Sequence, residues 1–192
     1  MRGIPAETRK RILKAATDLF YAKGIRAVGV NAIASAAGVT KRTLYQHFDS
    51  KDELIVAYLE AINEPVLAGL IKSVPRVSGD IAEQVEGLFM TFARQAGNPK
   101  WHGCPFARAV SELRETTNDA VSSIATKHKR TFEEWLADHL ASHGVDEPTL
   151  VARQLMVLID GCITQILIHR DPSYAVAAAG AAVTLVKHRW SE

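Results

Sequence analysis

The segment 30–48 limits the possible folds of this chain more than any other part of the sequence. Its first eight residues predict a short apolar helix, after which Gly38 supplies a turn residue that tolerates positive φ. Thr40 is a good N-cap for a second helix, in which Leu44 and Phe48 give an inward face. Two short helices joined by so tight a turn are typical of a helix-turn-helix, whose second helix lies in the major groove of DNA.

The outward side chains of the second helix suit contacts with DNA. Arg42 can pair bidentately with guanine, Gln46 with adenine, and the Thr43 methyl group can contact thymine. The other polar side chains suit phosphate, as does the helix N-terminus predicted after Ser50. The predicted DNA-binding residues are Thr40, Lys41, Arg42, Thr43, Tyr45, Gln46, His47 and Lys51. The alternative is an ordinary helical hairpin whose surface happens to be polar.

Charge is distributed unevenly along the chain. The total is only +2, but residues 1–48 carry nine Lys or Arg against two acidic residues, a net charge of +7. The remaining residues carry 14 basic and 19 acidic side chains, a net charge of −5. A basic first quarter on an acidic body favours an anionic polymer as the partner of that quarter, although a solvated helix surface would have a similar composition.

Helical periodicity continues along the chain, and no strand pattern interrupts it. The first helix is predicted over residues 7–23, ahead of Gly24. Ser50 and Glu53 form a capping box that opens a fourth helix, which Pro65 is expected to kink or end after about Ile62. Further helices are predicted at about 81–96, 105–114, 119–142, 147–169 and 172–188.

The last two predicted helices are apolar nearly all round, so they need cover on more than one side. A membrane span is the first alternative. Arg153, Asp160, Gln165 and Arg170 interrupt the apolar run, leaving no uninterrupted stretch of roughly 18 residues. Burial against a second copy of the chain is therefore the better explanation.

The sequence pattern Ile33-Ala…Ala37-Gly-Val-Thr-Lys-x-Thr-Leu-Tyr-x-His-Phe-x-Ser-Lys-x-x-Leu54 resembles the N-terminal domain of the tetracycline-repressor (TetR) family. The resemblance covers about residues 7–60. It implies that helices one to three bind DNA, and that the larger C-terminal part binds an effector and dimerises through a four-helix bundle of its last two helices. It also implies phosphate contacts at Tyr45, His47 and Lys51. Gly29 departs from the family, which usually has Thr or Ser at this N-cap.

We therefore expect an all-α fold of about nine helices. Residues 1–50 are expected to form a three-helix helix-turn-helix domain that binds DNA, and residues 51–192 a helical domain for effector binding and dimerisation. The effector cavity is expected to be apolar with a few polar groups. Its candidate residues are Phe89, Phe92, Trp101, Cys104, Phe106, Trp135, Met156, Cys162 and Gln165, any of which could instead be ordinary core.

The two cysteines and the pair His102 and Cys104 support no metal or catalytic site. Zinc needs further ligands, and a nucleophilic thiol needs a base that the local sequence does not supply. No metal and no cofactor are expected. A redox switch that uses Cys104 and Cys162, the only thiols, stays open as an alternative.

These features predict a sequence-specific, DNA-binding transcriptional regulator rather than an enzyme. The expected mode of action is repression at a palindromic operator by a homodimer, with release by a small, largely apolar effector. The N-terminus shows no secretory signal, so the expected location is the cytoplasm. A helical enzyme or carrier for hydrophobic small molecules and a thiol-based redox regulator are the alternatives.

Overall fold

The computed structural model describes residues 4–74, 80–113 and 119–188, and within these ranges it contains nine α-helices and no strand. The prediction of an all-α fold with about nine helices is confirmed. The helices are α1 (Ile4–Lys23), α2 (Val30–Ala36), α3 (Lys41–Tyr45), α4 (Lys51–Ser73), α5 (Ile81–Ala96), α6 (Pro105–Leu113), α7 (Asp119–Ser142), α8 (Pro148–His169) and α9 (Ser173–His188). Arg114, the predicted last residue of α6, lies outside the described residues.

The chain forms two compact units. The head unit contains residues 1–64 and 104–126, and the body unit contains residues 65–103 and 127–192. Helix α6 therefore belongs to the head unit, although it lies far along the chain from the helix-turn-helix. The sequence predicts a different division, into a DNA-binding part (residues 1–50) and an effector-binding part (residues 51–192). That division by function stays a prediction.

The head unit follows the capping chemistry that its sequence predicts. Gly24 ends α1 with φ +89°, and Gly38 makes the turn between α2 and α3 with φ +64°. The Thr40 hydroxyl accepts a hydrogen bond from the Thr43 N–H at 3.0 Å, which caps α3. Leu44 and Phe48 are fully buried, so the inward face of α3 is confirmed.

Helix α4 starts as predicted but runs further. The Glu53 N–H donates to the Ser50 hydroxyl at 3.0 Å, and the Glu53 carboxylate accepts from the Asp49 N–H at 2.5 Å. The predicted end near Ile62 is wrong, because the helix continues through Pro65 to Ser73. Pro65 is exposed, and three apolar residues beyond it pack on the core of the body unit, which favours continuing the helix; they are Leu67, Leu70 and Ile71.

The body unit has its own hydrophobic core, built mainly where α9 packs on α5 and on α8. Asp80 caps α5 by accepting from the Ala82 N–H at 2.8 Å. Helix α8 has Pro148 in its first turn, where its missing N–H costs nothing. It buries eight side chains against its neighbours, as expected for a core helix.

Two helices of the described part of the chain, α4 and α8, are long and apolar enough to cross a membrane by length and composition. The core helices of water-soluble proteins pass the same test. Asp160 forms an ion pair with Lys129, and Arg153 with Glu133, so α8 carries charges within its length. We therefore infer no spanning helix.

Candidate nucleic-acid interface

The outward face of α3 exposes most of the side chains that the sequence assigns to DNA. Lys41, Arg42 and Gln46 are exposed, and Tyr45 is 40% exposed although it is a large aromatic residue. The Lys41 ammonium lies 5.9 Å from the centre of the Tyr45 ring. We call these four residues the recognition face. No acidic residue occurs between Asp18 and Asp49, so the face has a uniformly positive or neutral sequence context.

Two of the remaining candidates, Thr40 and Thr43, have partners within the protein. The Thr43 hydroxyl lies 2.9 Å from the Thr40 hydroxyl, which also caps the helix. Thr43 and His47 are half-buried. The Thr43 methyl group can still contact a base. The hydroxyl groups of Thr40 and Thr43 bond to each other at the N-cap of α3, so they are less available to DNA.

The Lys51 side chain, which was predicted to bind a phosphate, is already engaged within the protein. Its ammonium donates to the Ile25 carbonyl oxygen at 2.7 Å, and it lies 6.0 Å from the centre of the Phe20 ring. Burial lowers the pKa of Lys51, against the opposing effect of the negative charges of Asp52 and Glu112. The side chain thus closes the turn between α1 and α2, and at most its remaining N–H groups are available to DNA.

Arg9 is a residue of this region that the sequence analysis missed. Its guanidinium carbon lies 4.5 Å from the centre of the ring of Phe48, the residue that follows His47. Among the described residues Arg9 forms no hydrogen bond and no ion pair. The contact joins positions 39 residues apart, which no local pattern shows; only the +7 charge of residues 1–48 hinted at basic groups beyond α3.

Helix α6 holds the turn between α1 and α2 through two polar contacts with main-chain atoms. The Arg108 guanidinium donates to the Tyr21 carbonyl oxygen at 2.7 Å, and the Glu112 carboxylate accepts from the Arg26 N–H at 2.9 Å. We call these contacts, together with the bond from Lys51 to Ile25, the turn clamp. It satisfies polar groups that the end of α1 leaves without helical partners.

A crevice in the head unit lies beside the turn clamp. It is open on one side, has a cavity volume of about 10 Å³, enough for roughly one water molecule, and is lined by Phe20, Ile25, Tyr58, Pro105, Arg108, Ala109 and Glu112. Burial raises the pKa of Tyr58 far above its ordinary value, so its phenol stays protonated. Small-molecule sites typically measure roughly 300 to 1,000 Å³, so this crevice is too small for an effector of ordinary size.

The nine residues predicted for the effector cavity fall in both units. Four lie buried in the core of the body unit: Phe89, Phe92, Met156 and Cys162. Trp101 and Trp135 are partly buried beside that core, while Gln165 is exposed on α8. Cys104 and Phe106 belong to the head unit. Seven of the nine therefore lie in the body unit, and six of these seven lie in or against its core.

Trp135 has both faces of its indole ring occupied. The Phe132 ring stacks on it at 5.9 Å between centres, and the His139 ring at 5.0 Å. The His139 Nε2–H donates to the Gln84 side-chain oxygen at 2.8 Å, which joins these stacked rings to α5. A bound effector would meet only the edge of the indole.

The thiols show no paired redox site. Burial raises the pKa of Cys162 to about 11, so this thiol stays protonated and unreactive at neutral pH. Cys104 is half-buried and is also reduced. Within the described ranges no group of three His, Cys, Asp or Glu side chains could hold a metal ion.

A second exposed surface has the opposite character to the recognition face. Over residues 157–168 of α8 and 176–184 of α9, the exposed positions form helical stripes of apolar, small and uncharged polar residues. We call them the bundle face: Val157, Gly161, Thr164, Gln165, Ile168, Val176, Ala177, Gly180, Ala181 and Thr184. The charged residues Arg153 and Lys187 are exposed beyond its ends. Val157 is 69% exposed and Ile168 65%. A Cβ added at Gly161 or Gly180 would meet nothing within 4 Å.

Comparison with protein families gives two matches. Residues 12–58 match the family described as bacterial regulatory proteins of the tetR family. Residues 107–187 match the tetracyclin repressor-like C-terminal domain. The two matches cover both the helix-turn-helix and the helices that carry the bundle face.

Among individual proteins, the chain is similar to transcriptional regulators. It is 35% identical over 86 residues to the transcriptional activator FasR of Mycolicibacterium smegmatis, covering 45% of this chain and 39% of that protein. It is 41% identical over 124 residues to the transcriptional regulator TtgR of Pseudomonas putida, covering 60% of this chain and 59% of that protein. The chain thus spans less than two thirds of the length of both relatives.

Solved structures match over nearly the whole chain. A TetR-family transcriptional regulator from Streptomyces coelicolor has a TM-score of 0.82 and 28% identity, with 97% of both chains covered. A tetr-transcriptional regulator from Streptomyces avermitilis has a TM-score of 0.81 and 31% identity, covering 95% of this chain and 97% of that one.

Proposed function

Because the chain belongs to the TetR family of bacterial regulators, and is thus a DNA-binding regulator of transcription and not an enzyme, we propose that it represses transcription from a palindromic operator. In this proposal a dimer binds the operator, and a small, largely apolar effector releases it. The single observation that carries the proposal is the recognition face, four exposed side chains suited to bases and phosphates on the second helix of a helix-turn-helix.

Arg42 and Gln46 are proposed to read bases. Both are exposed, and neither side chain is held by a hydrogen bond or an ion pair within the described residues. Bidentate contacts of Arg with guanine and of Gln with adenine are each worth about 1–3 kcal/mol of discrimination. Tyr45, His47 and the backbone at Gly29 are proposed to contact phosphates, which positions the helix without reading sequence.

The bundle face supports the proposed dimer. Members of this family act as dimers, and a surface of Val, Ile, Ala and Gly without charge is costly to leave in water. Gly161 and Gly180 leave space that side chains of a second copy can fill. A twofold dimer places two recognition helices on one side, so that two half-sites about one helical turn apart can be bound together.

The body unit is the proposed site of effector binding. Phe89, Phe92 and Met156 supply apolar surface around the packed helices α5 and α8, and Gln84 and His139 add polar groups next to them. Release then requires the effector to prefer one arrangement of the dimer over the other, and the loss of DNA affinity cannot exceed that preference. FasR, one of the relatives, is described as an activator, so the sign of regulation is a separate part of the proposal.

Selection of bound sequences from a random pool of double-stranded DNA tests the proposal. The purified protein at moderate salt is expected to enrich a palindrome with two half-sites. A promoter that carries this palindrome ahead of a reporter gene then gives the sign of regulation. Enrichment of a single half-site would contradict the dimer, activation of the reporter would contradict repression, and no enrichment would contradict sequence-specific binding.

A further inference from the structure

The position of Arg9 identifies it as an anion-binding group outside the helix-turn-helix. Its guanidinium lies 4.5 Å from the centre of the Phe48 ring, against a side chain that is fully buried. Arg stacks on aromatic faces through its plane, while its N–H groups point outward along the edges of that plane. The contact with the ring therefore restrains the position of the guanidinium without using its N–H donors.

No described residue uses those donors. Arg9 is exposed, and in the described part of the chain its side chain has no hydrogen-bond partner and no carboxylate within ion-pair distance. Three other basic side chains of the head unit do have such partners. Lys14 pairs with Asp18 at 2.6 Å, Lys51 donates to Ile25, and Arg108 donates to Tyr21.

The location places these donors beside the recognition face. Phe48 follows Gln46 and His47 directly and precedes the N-terminus of α4. A duplex that lies along α3 brings its phosphates to the ends of that helix. An oriented guanidinium at the C-terminal end of α3 matches the geometry of a phosphate, to which Arg donates two parallel hydrogen bonds.

We propose that Arg9, held against the ring of Phe48, binds a phosphate of the DNA backbone and so extends the interface from α3 to α1. This inference rests on the proposed DNA binding and adds a contact that the helix-turn-helix itself lacks. Because the stack orients the side chain before binding, less conformational freedom is lost on contact than for a mobile surface residue.

The test compares Arg9→Gln with Arg11→Gln. Both substitutions remove one positive charge from an exposed position of α1, but Arg11 lies about 200° further round the helix and has no aromatic partner. Binding is measured on the selected operator and on a random duplex, over a series of salt concentrations. Melting temperatures establish that each variant is folded.

Arg9→Gln is expected to weaken binding to both duplexes by about tenfold and to lower the slope of log K against log salt by about one. Arg11→Gln is expected to change both quantities much less. Arg9→Lys keeps the charge but not the planar fork, so it should restore the salt slope and only part of the affinity. It also serves as the deciding variant if Arg9→Gln does not fold.

Equal effects of Arg9→Gln and Arg11→Gln would overturn the proposal, since they would reduce Arg9 to general positive charge. An Arg9→Lys protein with full affinity would overturn the role of the stack. Salt-dependent binding of the random duplex without any preferred operator would contradict the proposed function, yet the slope on that duplex would still decide the role of Arg9. A wild-type protein that binds neither duplex would overturn both.

Discussion

The recognition face and the bundle face are both exposed on helices, but the first is polar and basic whereas the second is mostly apolar and uncharged. The recognition face presents Lys41, Arg42 and Gln46, whose polar ends are well hydrated in the free protein. The bundle face presents Val157, Ile168 and their small neighbours, which water solvates poorly. The first surface is stable without a partner, whereas the second gains free energy from one.

The difference shows that the exposed side chains of a helix can predict two different kinds of partner. Positive and hydrogen-bonding groups indicate a charged polymer, because they match its phosphates and base edges. The absence of charge over two whole stripes indicates a protein surface of the same kind, because two such faces can bury each other. Substitutions on the bundle face are therefore expected to affect dimerisation, and substitutions on the recognition face to affect DNA binding.

A charge placed on the bundle face should have the largest effect. Ala181→Arg would put two unpaired guanidinium groups into the proposed twofold interface, at a cost of several kcal/mol. We expect the dimer to dissociate in sedimentation experiments and affinity for a two-half-site operator to fall by at least about a hundredfold. Ala141→Arg, on an exposed position of α7, is the matched control and should leave the dimer intact. A dimer that survives Ala181→Arg would place the interface elsewhere.

Mild acid weakens the unit that carries the bundle face without changing either face. Burial, aided by the charge of Lys129 and opposed by Asp160, lowers the pKa of His128 from 6.5 to about 4. As the pH falls, His128 is therefore protonated in the unfolded chain at a higher pH than in the folded protein. The free energy of unfolding should fall between pH 6.5 and about 4 by up to about 3 kcal/mol, and should show no contribution from His128 above pH 7.

Urea unfolding of the wild type and of His128→Gln at several pH values measures this contribution. The difference between the two proteins at pH 7.5 gives the packing cost of the substitution, so only its change with pH bears on the proton. The variant is expected to lose less stability than the wild type on acidification. Parallel curves for the two proteins would show that His128 does not titrate in this range.

On the recognition face, a smaller change should alter selectivity. Arg42→Ala is expected to lower affinity for the selected operator by about 2 kcal/mol and to relax the preference at one base pair of each half-site. Tyr45→Phe removes only a hydroxyl group and should weaken all sequences alike. Titration of single-base variants of the operator distinguishes the two outcomes. Equal loss of selectivity in both variants would contradict the division into base and phosphate contacts.

The smallest effect is expected at the N-cap of α2. Gly29 has φ −87° and ψ 155°, which any residue adopts, but it provides no side-chain cap, and a Cβ there meets nothing within 4 Å. Gly29→Ser should raise the free energy of unfolding by a few tenths of a kcal/mol, measured by urea unfolding. Gly29→Ala has no cap oxygen and should be less stable than the wild type. Equal stability of the Ser and Ala variants would rule out a capping effect.

Local chemistry in the sequence predicted the helices well, because caps and periodicity are properties of neighbouring residues. The Thr40 cap, the turn at Gly38 and the bounds of α5 and α7 follow from such signals. The end of α4 was predicted wrongly because a proline removes only one hydrogen bond, and packing of distant residues decided the outcome.

The candidate sites were predicted less completely than the helices, because they depend on contacts between residues that are distant in the sequence. The outward residues of α3 follow from its inward pair, Leu44 and Phe48. The engagement of Lys51 with Ile25 and the stack of Arg9 on Phe48 depend on pairs that are distant in the sequence. In the same way, no periodic pattern shows that both faces of Trp135 are covered.

The hydrogen bonds of the turn clamp all reach main-chain atoms. Arg108 contacts the carbonyl of Tyr21, Glu112 the N–H of Arg26, and Lys51 the carbonyl of Ile25. Every residue type except proline offers these groups, so a substitution at the exposed Arg26 keeps the bond to Glu112. Tyr21 and Ile25 are less free to vary, because the Arg108 guanidinium lies 6.0 Å from the centre of the Tyr21 ring and Ile25 is buried. Tolerance to mutation is therefore unequal along this segment, and the link between α6 and the helix-turn-helix also constrains Arg108, Glu112 and Lys51.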